Sequence, residues 1–130
     1  MDEVLIGVFR AACVRRLPNG RAELLAVAIR DVDLTAGREV YEGYGNGFES
    51  LAAFFEDLAA SWRGWRGTRV YESIEHDLRI VATHDGHVNL RIRLCRSTEP
   101  DGWTVETTVR LDAGEQLSRA AGDIAALVRG

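Results

Sequence analysis

The feature that most limits what this chain can fold into is a parity match between two neighbouring segments. Leu78, Ile80 and Ala82 in one, and Val88, Leu90, Ile92 and Leu94 in the next, all fall on even numbers. Alternation of this kind marks a strand with one buried face. Two such strands bury the same face only where paired residue numbers sum to an even value. A two-residue Asp85-Gly86 turn would pair His84 with His87 and push one apolar set into water. A three-residue loop, His84-Asp85-Gly86, pairs Thr83 with His87 and Ile80 with Leu90, closed by Gly86 in a left-handed bulge. The register predicts the bulged loop.

The rest of the chain reads around that hairpin. Residues 3–14 and 23–32 are rich in Val, Ile, Leu and Phe and flank Pro18-Asn19-Gly20, so they predict two strands and a tight turn. Apolar side chains occupy both parities of residues 3–14, which predicts a strand covered on both faces, near the middle of the layers. A weaker strand is expected over Arg38 to Tyr44, before the loop Gly43-Tyr44-Gly45-Asn46-Gly47. Phe48, Leu51, Phe55, Leu58 and Trp62 then recur at helical spacing, with Asn46 and Glu49 as a capping box and Gly64 as the stop. Strands follow over Thr68 to Ile74, His76 to Thr83, His87 to Cys95 and Trp103 to Leu111. A last helix begins at Asp112, capped with Glu115, and buries Leu117, Ala120, Ala121, Ile124 and Val128. The order β-β-β-α-β-β-β-β-α, about seven strands, predicts an α+β fold: a mainly antiparallel sheet with two packed helices, in a single domain over 1–130.

Composition narrows the function classes. With 130 residues, 46% of them apolar, the chain can build one core without staples. No apolar run is long enough to span a membrane, and acids stand where a signal peptide would be basic, so a cytoplasmic protein is expected. A net charge of −4 disfavours nucleic acid and suits a basic protein partner. Cys13 and Cys95 form no CxxC pair, so zinc and dithiol chemistry lack their spacing.

Candidate site residues follow from the same register. His84 is expected at the loop tip, His87 on the outer face, and His76 on the apolar face roughly 23 Å away, too far apart to share a metal. Odd positions build an outer face with Arg79, Arg91, Arg93 and Arg110, where Arg91 is expected beside both Arg79 and Glu106. Such a face either docks an anion or acidic partner, or is simply a solvated face of mixed charge. Gly43, Gly45 and Gly47 resemble a phosphate loop, but Phe48 stands where a dinucleotide fingerprint needs glycine. Trp62 is expected to end the core stripe, and Trp65 either packs back or is exposed as an aromatic hot spot. Glu72, Glu75 and Asp77 near Ser73-Ile74 are either paired carboxylates for acid–base work or simply exposed acids at a strand connection. The candidate binding residues are therefore Arg79, Arg91, Arg93, Arg110, Trp65, Glu72 and Glu75, with no catalytic set, metal or cofactor expected.

Trp62-Arg63-Gly64-Trp65, Glu72-Ser73-Ile74-Glu75, Leu78-Arg79-Ile80, Ala82-Thr83 and Asp85-Gly86-His87-Val88-Asn89-Leu90 form an ordered series. It resembles a family of small actinobacterial domains of unknown function, over roughly residues 48 to 128. More loosely, the organisation is similar to WapI-type immunity proteins, which neutralise secreted toxins by binding them. The first resemblance implies no catalytic residue. The second implies a non-catalytic protein-binding domain with a basic, toxin-like partner. An anion- or small-molecule-binding domain using the arginine face or the glycine loop is the alternative. Whether the chain is a monomer or a homodimer stays open.

Overall fold

The computed structural model describes residues 3–96 and 99–130. The chain runs β1 (Val4–Ile6), β2 (Phe9–Arg16), β3 (Ala22–Asp31), β4 (Leu34–Tyr41), α1 (Glu49–Ala60), β5 (Arg69–Glu72), β6 (Leu78–His84), β7 (His87–Cys95), β8 (Thr104–Asp112) and α2 (Glu115–Arg129). The strands form two four-stranded antiparallel sheets, ordered β1-β2-β3-β4 and β5-β6-β7-β8. The α+β class and the two helices are as the sequence predicts. The eighth strand arises because the first predicted strand is really two.

Gly7 makes that break. Ile6 pairs with Phe9 across Gly7-Val8, and Gly7 has φ 59°, as the first residue of a II′ hairpin turn requires. A Cβ there would lie 2.9 Å from Val109 Cγ1, so a side chain has no room either. A two-residue turn switches the inward parity, and Val4, Ile6, Phe9 and Ala11 all face the core. Apolar residues on both parities therefore mean one buried face on each side of a turn. The expected two-sided strand in mid-layer is corrected to an edge strand, β1, paired with β2.

The two hairpins predicted from their turn residues are both present. Leu17 N–H donates to Arg21 O, Asn19 Oδ1 accepts from Arg21 N–H, and Gly20 has φ 89°, giving the three-residue bulged loop. Between β6 and β7 the even parity holds: Leu78 faces Leu94, Ile80 faces Ile92 and Ala82 faces Leu90. The loop sits one residue later than expected, at Asp85-Gly86-His87, closing His84 against Val88. Asp85 Oδ1 accepts from His87 N–H, and His84 Nδ1 from Gly86 N–H. These side-chain bonds to the turn backbone favour the later loop.

The inner faces of both sheets and both helices meet in one core containing Phe9, Leu25, Ile29, Phe48, Phe55, Leu78, Ile80, Leu90 and Ile92. α1 contributes Leu51, Ala52, Phe55 and Leu58, and α2 contributes Leu117, Ala120, Ala121, Ile124, Leu127 and Val128. Trp62 is corrected. α1 ends at Ala60, the chain leaves helical phase, and Trp62 is 50% exposed while Trp65 packs against the core. Both predicted capping boxes also change partners. Asn46 Oδ1 accepts from Asn19 instead of capping α1. At α2, Asp112 Oδ1 accepts from Gln116 N–H while Gln116 Oε1 accepts from Asp112 N–H, so Gln116 replaces Glu115 in the reciprocal pair.

The helices are tied to each other and to the first hairpin. Arg129 donates to Glu49 and Glu56 of α1, and its guanidinium holds both carboxyls below their usual range. Arg16 donates to Leu127 O and Val128 O, satisfying carbonyls left open at the end of α2. The glycine-rich loop is pinned to β3, where Phe48 N–H donates to Ala22 O. Gly47 has φ 59°, and a Cβ there would overlap Ala22 O. Gly47→Ala should therefore lose about 2–3 kcal/mol, read as a lower urea midpoint with an unchanged m-value.

Candidate functional site

The outward side of β5–β8 carries the predicted arginines, arranged differently from expectation. One row runs Glu72, Arg79, Arg93, Glu106 across the four strands. Arg93, not Arg91, lies between Arg79 and Glu106. Arg91 faces Val81 and Thr108. The later β6–β7 loop, and Val105 rather than Trp103 opposite Leu94, account for the change. Arg91 Nε still lies 4.0 Å from Glu106, and Arg93 Nη2 lies 3.8 Å from Glu72. Arg110 Nη2 sits 3.0 Å from His87 Nδ1 and 4.0 Å from Asp85. A backbone N–H from His87 holds the Asp85 carboxyl below its usual range, helped by Asn89 and Arg110. Arg79 Nε is buried with no hydrogen-bond partner among the described residues. Val81 lies on this outward face yet is only 8% exposed, as expected beneath long arginine stems. The face is a roof of mixed charge.

The histidines stay apart, two of them in unexpected surroundings. The β6 strand starts only at Leu78, so His76 is exposed in the preceding turn, with Nδ1 3.3 Å from Glu72, and does not point to the apolar face. His84 is not at the loop tip: Nε2 lies 2.8 Å from Trp62 O and its ring meets Trp65 edge-on at 5.1 Å. His87 is exposed on the outer face, as predicted. Among the described residues no three His, Cys, Asp or Glu side chains are grouped to hold a metal.

The predicted carboxylates do not converge. Asp77 is 2% exposed, accepts from Ser73 Oγ at 2.6 Å and pairs with Arg38 at 3.1 Å. Glu72 is on the outer face near His76 and Arg93, and Glu75 is exposed in the turn. Three N–H groups at the end of the glycine loop and the start of α1 already have backbone partners. Gly47, Phe48 and Glu49 donate to the carbonyls of Tyr44, Ala22 and Asn46. Trp65 stacks under Arg69, whose Cζ is 4.7 Å from the ring centroid, and Arg63 stacks on Trp62 at 4.9 Å. Of these two tryptophans Trp65 is thus packed and Trp62 exposed.

Two charged side chains invisible to local sequence patterns join the sheets. Glu42, just beyond β4, accepts from Tyr71 Oη at 2.8 Å, Ile74 N–H at 2.9 Å and Ser50 Oγ at 3.3 Å. Burial pushes its carboxyl above the usual range, and the three donors only partly offset this. Burial and the adjacent Glu42 likewise push the Tyr71 phenol up, so it remains a donor. Arg38 on β4 crosses to the second sheet, donating to Cys95 O at 3.2 Å and to Arg96 O, besides its pair with Asp77.

The outward side of β1–β4 is the opposite of the arginine roof. Ala12 faces Ala26, which faces Glu39; Arg10 faces Ala28, which faces Gly37. Four positions at the centre of this face therefore carry nothing beyond Cβ. They floor a trough of about 320 Å³ walled by Glu3, Arg10, Arg30 and Glu39. Leu5 on β1 and Val14 on β2 are 55% and 50% exposed. A second groove of about 350 Å³ opens where β4 and β8 approach, lined by Leu34, Thr35, Ala36, Gly37, Trp103 and Val105.

Two antiparallel four-stranded sheets packed on a helix pair, one with arginines across its outward face and one with alanine and glycine at the centre of its own, define a two-sheet α+β fold. The chain belongs to DUF6228, a family of unknown function whose profile matches residues 10–130. The match takes in most of the first sheet as well as the segments that carry the resemblance. No curated protein and no solved structure matches the chain. Among the described residues no helix is long and apolar enough to cross a membrane.

The raised Glu42 pKa has a defined sign. A carboxyl whose folded pKa exceeds its unfolded value contributes stability that is complete below the unfolded pKa and is lost as pH rises through the folded one. Glu42→Gln keeps the acceptor oxygen and removes the titration. Thermal unfolding should show the Gln variant gaining on the wild type between acid and neutral pH. A gap that does not change with pH would contradict this assignment.

Proposed function

We propose that the chain is a non-catalytic protein-binding domain that docks its partner on the outer face of the first sheet, and that it is an immunity-like protein masking a toxin. The observation carrying this reading is the contrast between the two outward faces. Over β6–β8 the sheet is covered by Arg79, Arg91, Arg93 and Arg110 with their acidic neighbours. Over β2–β4 the centre is Ala12, Ala26, Ala28 and Gly37. A floor without long side chains lets a partner's aromatic ring or backbone come close to the sheet, while Arg10, Arg30, Glu3 and Glu39 supply the polar rim of an interface. The net charge of −4 favours a basic partner by steering its encounter.

The test is co-expression with the variable C-terminal segment of a large secreted protein encoded beside this gene. Growth should be rescued, and Ala26→Arg, which fills the trough from an exposed position, should abolish rescue without changing the melting temperature. A neighbourhood lacking such a gene, or rescue indifferent to Ala26→Arg, overturns the reading.

One observation favours the anion-binding alternative: Arg79 Nε has no partner, and Arg93 lies directly opposite. Inorganic phosphate should then raise the melting temperature, and Arg79→Ala should remove the rise. A flat titration ends this alternative.

A further inference from the structure

We infer that the connection between α1 and β5 is a docking surface for an acidic segment of a protein partner, whose carboxylates meet Arg63 and Arg66 beside the exposed ring of Trp62. The surface uses none of the residues that line the trough on the first sheet, and it does not rest on docking there.

The segment is held from two sides. Just past α1, Gly64 N–H donates to Ser61 O at 2.9 Å. Gly86 N–H donates to His84 Nδ1, so the ring hydrogen lies on Nε2 and donates to Trp62 O at 2.8 Å. Trp65 packs against the core and meets the His84 ring edge-on. Arg69 donates to Asp57 and Ser61 and lies over the Trp65 ring. A backbone fixed in this way loses little freedom when a partner binds.

What the segment presents is an aromatic ring and two free guanidinium groups. Trp62 is half exposed, and Arg63 Cζ lies 4.9 Å from its ring centroid. Stacking occupies a face of the guanidinium and leaves its N–H groups in the plane, where they match the two oxygens of a carboxylate. Arg66 is exposed one residue beyond Trp65. Among the described residues neither Arg63 nor Arg66 has a hydrogen bond or an ion pair to a carboxylate. The acids on the elements that hold the segment are committed to other arginines. Asp57 lies 3.0 Å from Arg69, Glu56 2.7 Å from Arg129, and Asp85 4.0 Å from Arg110.

Charge selects the occupant. The whole chain carries a net charge of −4, so two unanswered cations make this patch opposite in sign to the molecule. A basic or purely apolar partner covering Trp62 would leave both guanidinium groups desolvated and unpaired. An acidic segment answers them while its apolar side chains cover the ring. Tryptophan and arginine are also the residues most enriched where binding energy concentrates.

The experiment titrates the full chain with a short synthetic peptide alternating Glu and Leu, and follows acrylamide quenching of tryptophan fluorescence. Bound peptide should reduce the quenching, and Trp62→Phe should remove that change although Trp65 and Trp103 remain. A Gln/Leu peptide should bind at least roughly tenfold more weakly. Arg63→Glu should abolish binding of the Glu/Leu peptide and admit a Lys/Leu one, with the melting temperature unchanged because position 63 is exposed. Arg63→Lys, which keeps the charge without the planar fork, should fall between wild type and Arg63→Glu. No change in quenching, a change that survives Trp62→Phe, or equal binding of the Gln/Leu peptide overturns the proposal. So does shielding by a single-stranded oligonucleotide in place of the Glu/Leu peptide. Ala26→Arg, on the first sheet, should leave the shielding intact, so failure of face docking and failure of this surface are read separately.

Discussion

Among the described residues no strand pair joins the two sheets, so the fold depends on burying both inner faces against the same two helices. Each sheet alone is a meander with one apolar side, and neither could leave that side in water. Phe9, Leu25 and Ile29 from one and Leu78, Ile80, Leu90 and Ile92 from the other are fully buried in a common core with Phe48 and Phe55. Truncating any one of these large side chains would leave a cavity worth about 2–5 kcal/mol, a large share of a domain's stability. Polar bonds then fix how the sheets sit on each other. Arg38 reaches Asp77 and two carbonyls of the second sheet, and Glu42 takes three donors from β5, its following turn and α1.

The surfaces follow from that arrangement. A sheet committed to the core on one side has one other side to offer, and this chain treats its two free sides differently. The second sheet carries arginines whose stems shield Val81 and whose charges are partly answered by Glu72, Glu106 and Asp85. The first carries alanine and glycine at its centre. The long edges of both sheets open toward one groove, and the short edges lie elsewhere.

Much of the architecture was legible because alternation and turn chemistry are local. Pro18-Asn19-Gly20 and the even parity of 78–82 against 88–94 appear in the fold as read. The errors have local causes too. Gly7 falls inside the strand expected over residues 3–14, although a glycine between apolar runs of opposite parity is the mark of a two-residue turn. Trp62 extended the helical stripe by spacing, but spacing says nothing about where a helix stops. Of the candidate site residues, Arg79, Arg91, Arg93 and Arg110 do share one outward face, while Glu72, Glu75 and Asp77 scatter.

By itself the sequence determined which side chains each strand turns inward, because the period of a strand and the residues of its turns are properties of a few neighbours. It also determined that one sheet face would be rich in arginine. Only the tertiary structure decided which strands became edges, which carboxylates were buried, and which outward face was left bare. Those outcomes depend on contacts between residues far apart in the chain, such as Arg38 with Asp77 and Glu42 with Tyr71. No local pattern encodes a pairing whose free energy arises only once two distant surfaces have excluded water between them.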